Sequence, residues 1–220
     1  MYKQHASPPA GPAKTGSELV TALETDIIFG RLLPRERLIE DELMERFAAT
    51  RHKVRQAIVE LVARGLVTQA RNKGAQVRDY SRTEVEELYE IRNTLQSQAI
   101  SRIELPASER LVEELRNIQR AHAHASREDC LEEMFRLNNA FHDKFFLACG
   151  NGLLAEAVRD FAWRTHPVRS RGFFDAAYRE AAIEDHAQMV EALAQSDRAK
   201  LFYINVRHTN RPMKLYLRQV

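Results

Sequence analysis

Three histidines interrupt apolar stripes of predicted helices in the C-terminal half of the chain. His142 follows Asn138 by four residues, so the two side chains share one helix face among apolar neighbours. His186 and His208 stand on the apolar faces of two later helices. Because imidazole nitrogens bind Zn²⁺, Ni²⁺ and similar ions well, and an amide oxygen binds them more weakly, these four side chains predict a divalent transition-metal site in a helical core.

The alternative interpretation of these histidines needs no ion, because a buried histidine also finds hydrogen-bond partners within a protein core. The other histidines of this half show less constraint. We expect His122 and His124 to face solvent, and we predict no functional role for His166.

A second group of residues with chemical potential is basic. Residues 46–78 carry eight Lys or Arg side chains and a single acid, Glu60, in a chain whose total charge is nearly balanced. Such a block is typical of a surface that binds a polyanion, and its alternative is a solvated helix face.

A helix that begins after Thr50 would bury Val54, Ile58 and Leu61 and present its basic residues on the opposite face. It follows a shorter helix across a tight Ala48-Ala49 connection, which favours a helix-turn-helix, while a basic hairpin tip could lie along the minor groove. Arg can read guanine with two hydrogen bonds, and Gln can read adenine. The residues predicted to contact DNA are Thr50, Arg51, His52, Lys53, Arg55 and Gln56 on the helix, and Arg71, Lys73 and Gly74 at the hairpin tip.

The hydrophobic pattern predicts a proline-containing arm and two domains. Residues 1–14 are typical of a disordered arm. Residues 15–79 predict three helices and a β-hairpin, the element order of a winged helix-turn-helix. Residues 80–220 contain no strand pattern and predict an all-α bundle of about six helices. The predicted fold class is therefore mainly α.

Composition excludes several classes of protein. The chain has 220 residues, of which 44% are hydrophobic and 29% charged, as in a globular protein with room for two domains. No window approaches the roughly eighteen apolar residues of a membrane span, and residues 1–14 lack the apolar segment of a signal peptide. Its two cysteines give no disulfide framework. We expect a cytoplasmic protein with no membrane partner.

A set of residues between Ile28 and Val77 forms a specific signature when taken together. It comprises Gly30, Pro34, Glu36-Arg37-Leu38, Glu42-Leu43, Thr50-Arg51-x-x-Val54-Arg55-x-Ala57-Ile58, Leu61, Gly65-Leu66-Val67, Asn72-x-Gly74-Ala75 and Val77. With these residues the stretch resembles the N-terminal domain of GntR-type winged-helix regulators. His52, Lys53 and Gln56 depart from the usual residues of that family on the predicted reading face. The resemblance therefore implies a double-stranded DNA operator without giving its sequence.

The helical half carries a second set of markers. They are Leu88-Tyr89-x-x-Arg92, Asn138-x-x-Phe141-His142, Gly150-Asn151, Asp185-His186, Asp197-x-Ala199 and His208. With these markers the region from about Val85 to His208 resembles the FCD ligand-binding domain of FadR-like GntR regulators. The resemblance implies that Asn138, His142, His186 and His208 hold a divalent cation. It also implies that a small carboxylate binds beside the ion and that the domain forms a homodimer.

Two departures from the family pattern bear on this site. Asn138 stands where Asp is common, so the ion would keep its full positive charge, which favours an anionic effector as a further ligand and weakens metal retention. Gln96 stands where Glu is frequent, which leaves Arg92 freer to bind an effector carboxylate. The alternative for Arg92 is a salt bridge or a surface charge.

These features predict a sequence-specific DNA-binding regulator, not an enzyme, whose affinity for an inverted-repeat operator is controlled by a small carboxylate. One alternative is a DNA-binding protein whose helical half only dimerises, without metal or effector. A remote alternative is a metal-dependent hydrolase with a DNA-binding head. It lacks an obvious general base, because Asp143 and Asp185 each neighbour a histidine in sequence and so point about 100° away from it on the helix.

Overall fold

The computed structural model describes residues 15–70, 74–169 and 172–218. The chain divides into two compact units between Ser81 and Arg82, and each unit has its own hydrophobic core. The predicted arm and the hairpin-tip residues Arg71 and Lys73 lie outside the described ranges. Among the helices within those ranges, none is long and apolar enough to cross a membrane.

The N-terminal unit contains three helices and three short strands. They are α1 (Gly16–Ile28), β1 (Arg37–Leu38), α2 (Glu40–Phe47), α3 (Arg51–Ala63), β2 (Val67–Ala70) and β3 (Gly74–Val77). β3 is the central strand and runs antiparallel to both neighbours. The predicted winged helix-turn-helix is confirmed. The sequence did not predict β1, because two residues are too few to show the alternation of a strand.

Three short local motifs fix ends of the N-terminal helices. α1 begins at a capping box in which Thr15 Oγ1 accepts from the Glu18 backbone and the Glu18 carboxylate accepts from the Thr15 backbone. α2 ends at Ala48, which adopts the left-handed conformation with φ 46°. Thr50 then caps α3 by accepting from the Lys53 backbone. α2 and α3 are therefore joined by the tight turn that a helix-turn-helix requires.

The predicted reading helix, α3, is anchored by its inner face. Val54, Ala57, Ile58 and Leu61 are buried in the core of the N-terminal unit, together with Phe47 of α2. The side chains between these positions point outward. The amphipathic pattern of α3 thus fixes which of its residues are available to a partner.

The C-terminal unit is all-helical within the described residues. Its helices are α4 (Arg82–Arg102), α5 (Glu109–Arg127), α6 (Leu131–Leu147), α7 (Gly152–Arg164), α8 (His166–Arg169), α9 (Ala176–Ala194) and α10 (Arg198–Leu217). The predicted helical bundle is confirmed. The one-turn helix α8 is an addition, since four residues carry no helical periodicity.

Three of these helices carry the predicted metal ligands. α6 and α9 both pack on α5, and α10 packs on α4 and α9. Their shared core includes Phe141, Phe145, Met189 and Leu201, all fully buried. This packing brings the inner faces of α6, α9 and α10 toward one another in the middle of the bundle.

Candidate functional site

The three predicted histidines converge in the bundle. Nε2 of His142 on α6 lies 3.1 Å from Nε2 of His208 on α10 and 3.2 Å from Nε2 of His186 on α9. One ligand atom from each of the three side chains lies within 4.8 Å of the others. The face-sharing pattern read from the sequence therefore produces a compact three-nitrogen cluster.

Hydrogen bonds among the rings do not account for this cluster. A neutral Nε2 carries either one hydrogen or one lone pair, so that atom of His142 makes one good hydrogen bond and not two. Within the described residues, Nδ1 of His142 and Nδ1 of His186 are buried without a partner. Nitrogens bound to one metal at about 2.1 Å lie roughly 3.0–3.4 Å apart. The two Nε2 spacings at His142 therefore fit nitrogens that share a metal ion.

Asp185 orients one of the three rings. Its carboxylate is 1% exposed, accepts from Nδ1 of His208 at 3.3 Å, and also accepts from Arg207 and Arg211 of α10. Because a carboxylate only accepts here, the hydrogen of His208 sits on Nδ1 and its Nε2 lone pair faces the cluster. Asp185 directly precedes His186 on α9, so the two side chains point in different directions. Asp185 is therefore not a second metal ligand, and it lies behind His208 instead.

Burial sets the charge state of these groups. It lowers the pKa of His142 and of His186 well below the ordinary range, and a positive charge on the neighbouring His208 would lower both further. Burial also lowers the pKa of His208, although the bond to Asp185 opposes the change. For Asp185, burial raises the pKa, but the bonds from His208 and Arg211 outweigh it and hold the value at about 2. The cluster is therefore neutral imidazole beside an ionised carboxylate, which is the state that binds a cation.

Asn138 lies in the wall of the cavity next to the histidines. It is buried, and its Nδ2 donates to Oδ1 of Asn139 at 3.2 Å. The cavity has a volume of about 30 Å³, and its wall also includes His142 and His208. The predicted Asn138 position is thus on the same side of the bundle as the cluster.

His122 was predicted to face solvent, and that prediction is wrong. His122 is buried in the wall of the same cavity, with its ring centroid 4.9 Å from that of His186. Burial lowers its pKa to about 4, so the ring is neutral. His124, two residues on, is exposed as predicted. His166, which had no predicted role, is buried against the rings of Phe135 and Trp163.

Arg92 is buried rather than exposed. It is 6% exposed, donates to Thr165 Oγ1 at 3.0 Å, and lies 5.1 Å from the centroid of the Tyr89 ring. Within the described residues it forms no ion pair, and its Nε has no hydrogen-bond partner. Gln96 is engaged elsewhere, since it accepts from Thr209 at 2.6 Å. The two alternatives for Arg92 were a salt bridge and a surface position, and the structure shows neither within the described residues.

A second buried arginine, which the sequence did not point to, lies close by. Arg169 at the end of α8 is also 6% exposed. Arg92, His142 and Arg169 line the cavity described above and also a second cavity of about 30 Å³. Burial lowers the pKa of Arg92 to about 10, so Arg92 remains charged near neutral pH, and burial also lowers the pKa of Arg169. A guanidinium group stays protonated in proteins, so we treat Arg169 as charged too.

The predicted DNA-reading residues occupy the outer face of α3. Arg51, His52, Arg55 and Gln56 are exposed and Lys53 is partly exposed. Thr50, also exposed, caps the helix as predicted. Gly74 begins β3 with φ +74°, a conformation that favours glycine, and it is exposed. Whether these residues contact DNA remains a prediction.

Acidic side chains of α2 neutralise part of this face. Nε of Arg55 donates to Glu40 at 2.9 Å, while Arg51 donates to Glu40 at 3.3 Å and to Asp41 at 2.6 Å. Glu40 and Asp41 precede residue 46 in the chain and so lie outside the basic block of residues 46–78. Any DNA phosphate that binds Arg51 or Arg55 must compete with the two carboxylates.

The fold and the two sites define a two-domain, DNA-binding regulator. Residues 15–77 match the family model described as bacterial regulatory proteins, gntR family, and residues 87–211 match that of the FCD domain, which spans more than half of the chain. The chain belongs to the GntR family of bacterial regulatory proteins, in the FadR-like arrangement with a C-terminal FCD domain. It is a transcriptional regulator and not an enzyme.

Curated relatives of known description agree with this assignment. The chain is 25% identical over 203 residues to the HTH-type transcriptional repressor GlaR of Escherichia coli (strain K12), which covers 88% of this chain and 91% of GlaR. It is 27% identical over 161 residues to the Nta operon transcriptional regulator of Aminobacter aminovorans, covering 73% and 75% of the two chains.

Solved structures show the same fold. E. coli McbR/YncC matches with a TM-score of 0.75 and 18% identity over 94% of this chain and 99% of that one. A putative transcriptional regulator GntR from Rhodococcus sp. RHA1 matches with a TM-score of 0.77 and 16% identity over 93% and 98%.

Proposed function

We propose that this regulator is a dimer whose affinity for an inverted-repeat operator is set by a small carboxylate bound beside a divalent transition metal such as Zn²⁺ or Ni²⁺. His142, His186 and His208 would hold the ion, and Asn138 would offer a weaker oxygen ligand. The observation that carries the proposal is the convergence of the three Nε2 atoms, with spacings of 3.1 and 3.2 Å at His142.

The groups around the cluster make different contributions to binding of the carboxylate. The ion supplies positive charge that attracts a carboxylate. Asp185 keeps the Nε2 lone pair of His208 directed at the cluster. Arg92 adds a guanidinium in the wall of the adjoining cavity, where it pairs with the effector carboxylate.

The N-terminal unit supplies the DNA contacts. Arg51 and Arg55 bind the operator through guanidinium groups, and His52, Lys53, Gln56 and Thr50 lie on the same face for further contacts to bases or phosphates. Arg71 and Lys73 extend the contacts at the hairpin tip, where Gly74 permits a close approach to the DNA backbone. Two such heads on a dimer read two half-sites of an inverted repeat.

Effector control requires a difference in affinity between two conformations. A carboxylate changes operator binding only if it binds the DNA-competent and the incompetent forms unequally. By linkage, the operator then changes the affinity for the carboxylate by the same factor. The direction of this coupling decides whether the effector releases or recruits the regulator.

The proposal is tested by operator binding of the full-length protein. An operator is first selected from random-sequence DNA by the protein itself, and its affinity is measured by fluorescence anisotropy for metal-loaded and chelator-stripped protein against small carboxylates. We expect at least one carboxylate to change Kd about fivefold or more, and only in the loaded protein. No response to any carboxylate would contradict the effector proposal.

Two variants separate the site from the fold. His142→Ala should abolish the carboxylate response and leave operator affinity of the stripped protein unchanged. His124→Ala removes an exposed histidine of α5 and should leave the response intact. Sedimentation should give twice the 25.4 kDa chain mass, and a monomer on the operator would contradict the dimer.

A further inference from the structure

Arg92 and Arg169 are two buried positive charges without a carboxylate partner among the residues that the structure describes. Within the described residues neither forms an ion pair, although each is only 6% exposed. The residues outside those ranges contain no Asp or Glu side chain. Arg92 donates to Thr165 Oγ1 and lies over the Tyr89 ring, and both of these groups are neutral.

Three carboxylates of the helical bundle lie beside other arginines. Asp185 is held by Arg207 and Arg211. Asp129 pairs at 2.6 Å with Arg179, which also lines the first cavity. Asp143 lines the second cavity together with Arg159, whose charge lowers the pKa of Asp143, although burial raises that pKa by more. Asp185 and Asp129 are therefore already paired, whereas Arg92 and Arg169 have no carboxylate partner within the described residues.

Both arginines lie in the walls of two cavities that adjoin the histidine cluster. The two cavities have Arg92, His142 and Arg169 in common, and otherwise different walls. The charges of Arg169 and Arg92 also help to lower the pKa of His142, which places both guanidinium groups within electrostatic reach of that ring. A ligand at the cluster thus meets positive charge in either cavity.

Burying an unpaired guanidinium is unfavourable, because the group loses its hydration and gains no opposite charge. A single monocarboxylate would balance one of the two arginines and leave the metal and the other arginine uncompensated. Two separate negative groups match two separate guanidinium groups, each of which binds a carboxylate through its planar fork. The small cavity volumes favour a short connection between those groups.

Resting on the metal and effector site proposed above, we propose that the effector is a short dicarboxylate and that Arg92 and Arg169 are its two guanidinium partners. Arg169 is thereby a ligand-binding residue of the site. Neutral residues of the first cavity wall, His122 and Asn138 among them, add hydrogen-bonding groups without adding charge. The selectivity of the site is for two negative groups rather than one.

The test compares ligands of equal length with one or two carboxylates. Zn²⁺-loaded full-length protein is titrated calorimetrically, and melted thermally, with the dicarboxylates from malonate to adipate and with the monocarboxylates from propanoate to hexanoate. We expect the best dicarboxylate to bind about tenfold or more tightly than its monocarboxylate counterpart. Glycerol 3-phosphate serves as a dianion with a single charged group and should bind more weakly than that dicarboxylate.

Charge-removing variants assign the preference to residues. Arg169→Gln and Arg92→Gln should each weaken binding of the best dicarboxylate about 10- to 100-fold while changing monocarboxylate binding less. Arg136→Gln is the matched control, because Arg136 is an exposed, ion-paired arginine on α6. Zinc stoichiometry and circular dichroism report folding. If Arg169→Gln fails to fold, Arg169→Lys keeps the charge without the planar fork and should retain only part of the preference.

The outcomes separate this inference from the function it rests on. Equal binding of the monocarboxylates, or equally tight binding of glycerol 3-phosphate, overturns the dicarboxylate assignment and leaves a metal-dependent anion sensor. A preference that survives in Arg169→Gln removes Arg169 from the site. Zinc-loaded protein that binds none of these carboxylates overturns the effector proposal and this inference together.

Discussion

Two pairs of arginines stand in opposite electrostatic settings. The side chains of Arg51 and Arg55 on the reading helix are 50% and 63% exposed, and both are paired with acidic groups of α2. Arg92 and Arg169 in the helical bundle are buried, without a carboxylate partner in the described residues. The first pair is charge-balanced before any ligand arrives, and the second is not.

This difference matches two kinds of binding. Exposed ion pairs contribute only about 0–1 kcal/mol, so DNA phosphates can replace Glu40 and Asp41 at little cost. A buried unpaired charge destabilises the unliganded protein, and a ligand of opposite charge removes that destabilisation. The N-terminal unit is therefore suited to reversible, salt-dependent binding of a polyanion, and the helical bundle of the C-terminal unit to binding one small anionic ligand.

The largest expected effect comes from removing both exposed arginines of α3. The double variant Arg51→Ala, Arg55→Ala should weaken operator binding about 100-fold or more, because each contact is worth about 1–3 kcal/mol. The slope of affinity against salt concentration should also become shallower. Fluorescence anisotropy at several salt concentrations measures both effects.

A control variant shows whether the loss of any exposed arginine weakens operator binding. Arg110→Ala removes an exposed, ion-paired guanidinium from α5 and should leave operator affinity unchanged. Operator affinity of the double variant within twofold of the wild type would remove α3 from the DNA interface.

Asp185→Asn tests the orientation of the metal cluster. Nδ1 of His208 loses its carboxylate partner, so metal affinity should fall about 10- to 100-fold. Competition against a chelator of known affinity measures the change. Asp160→Asn, which alters an exposed carboxylate on α7, should bind metal as the wild type does. Wild-type metal affinity in Asp185→Asn would show that Asp185 plays no part in positioning.

Much of this architecture can be read from helical periodicity. The apolar stripes of α3, α6, α9 and α10 predict those helices, and the same stripes predict that His142, His186 and His208 point inward. The Thr50 cap of α3 follows from its place before an amphipathic run. Local pattern suffices here because each functional side chain sits on a long helix whose buried face is unambiguous.

Other features depend on contacts distant in sequence. Arg169 lies on a one-turn helix, so its burial comes from tertiary packing that no local pattern encodes. Glu40 is far from Arg55 in the chain but adjacent to it in space. His122 is different, because its signal is present in the sequence: it follows Leu115 by seven residues on the buried stripe of α5.

The smallest expected effect concerns the acidic partners of the reading helix. Glu40→Gln frees Arg55 and leaves Arg51 with Asp41 as its one remaining acidic partner on α2, so affinity for DNA of unrelated sequence should rise about two- to fivefold, in line with the strength of exposed ion pairs. Glu109→Gln, an exposed acid at the start of α5, is the control. Unchanged or weaker non-specific binding would show that Glu40 does not compete with phosphate.

The most direct test of the account is a metal titration of the chelator-stripped, full-length protein. We predict one Zn²⁺ or Ni²⁺ per chain, lost in His142→Ala and retained in His124→Ala, while operator binding by stripped His142→Ala equals that of the stripped wild type. Substoichiometric binding by the wild type, or full occupancy in His142→Ala, would contradict a metal centre built on the three converging histidines.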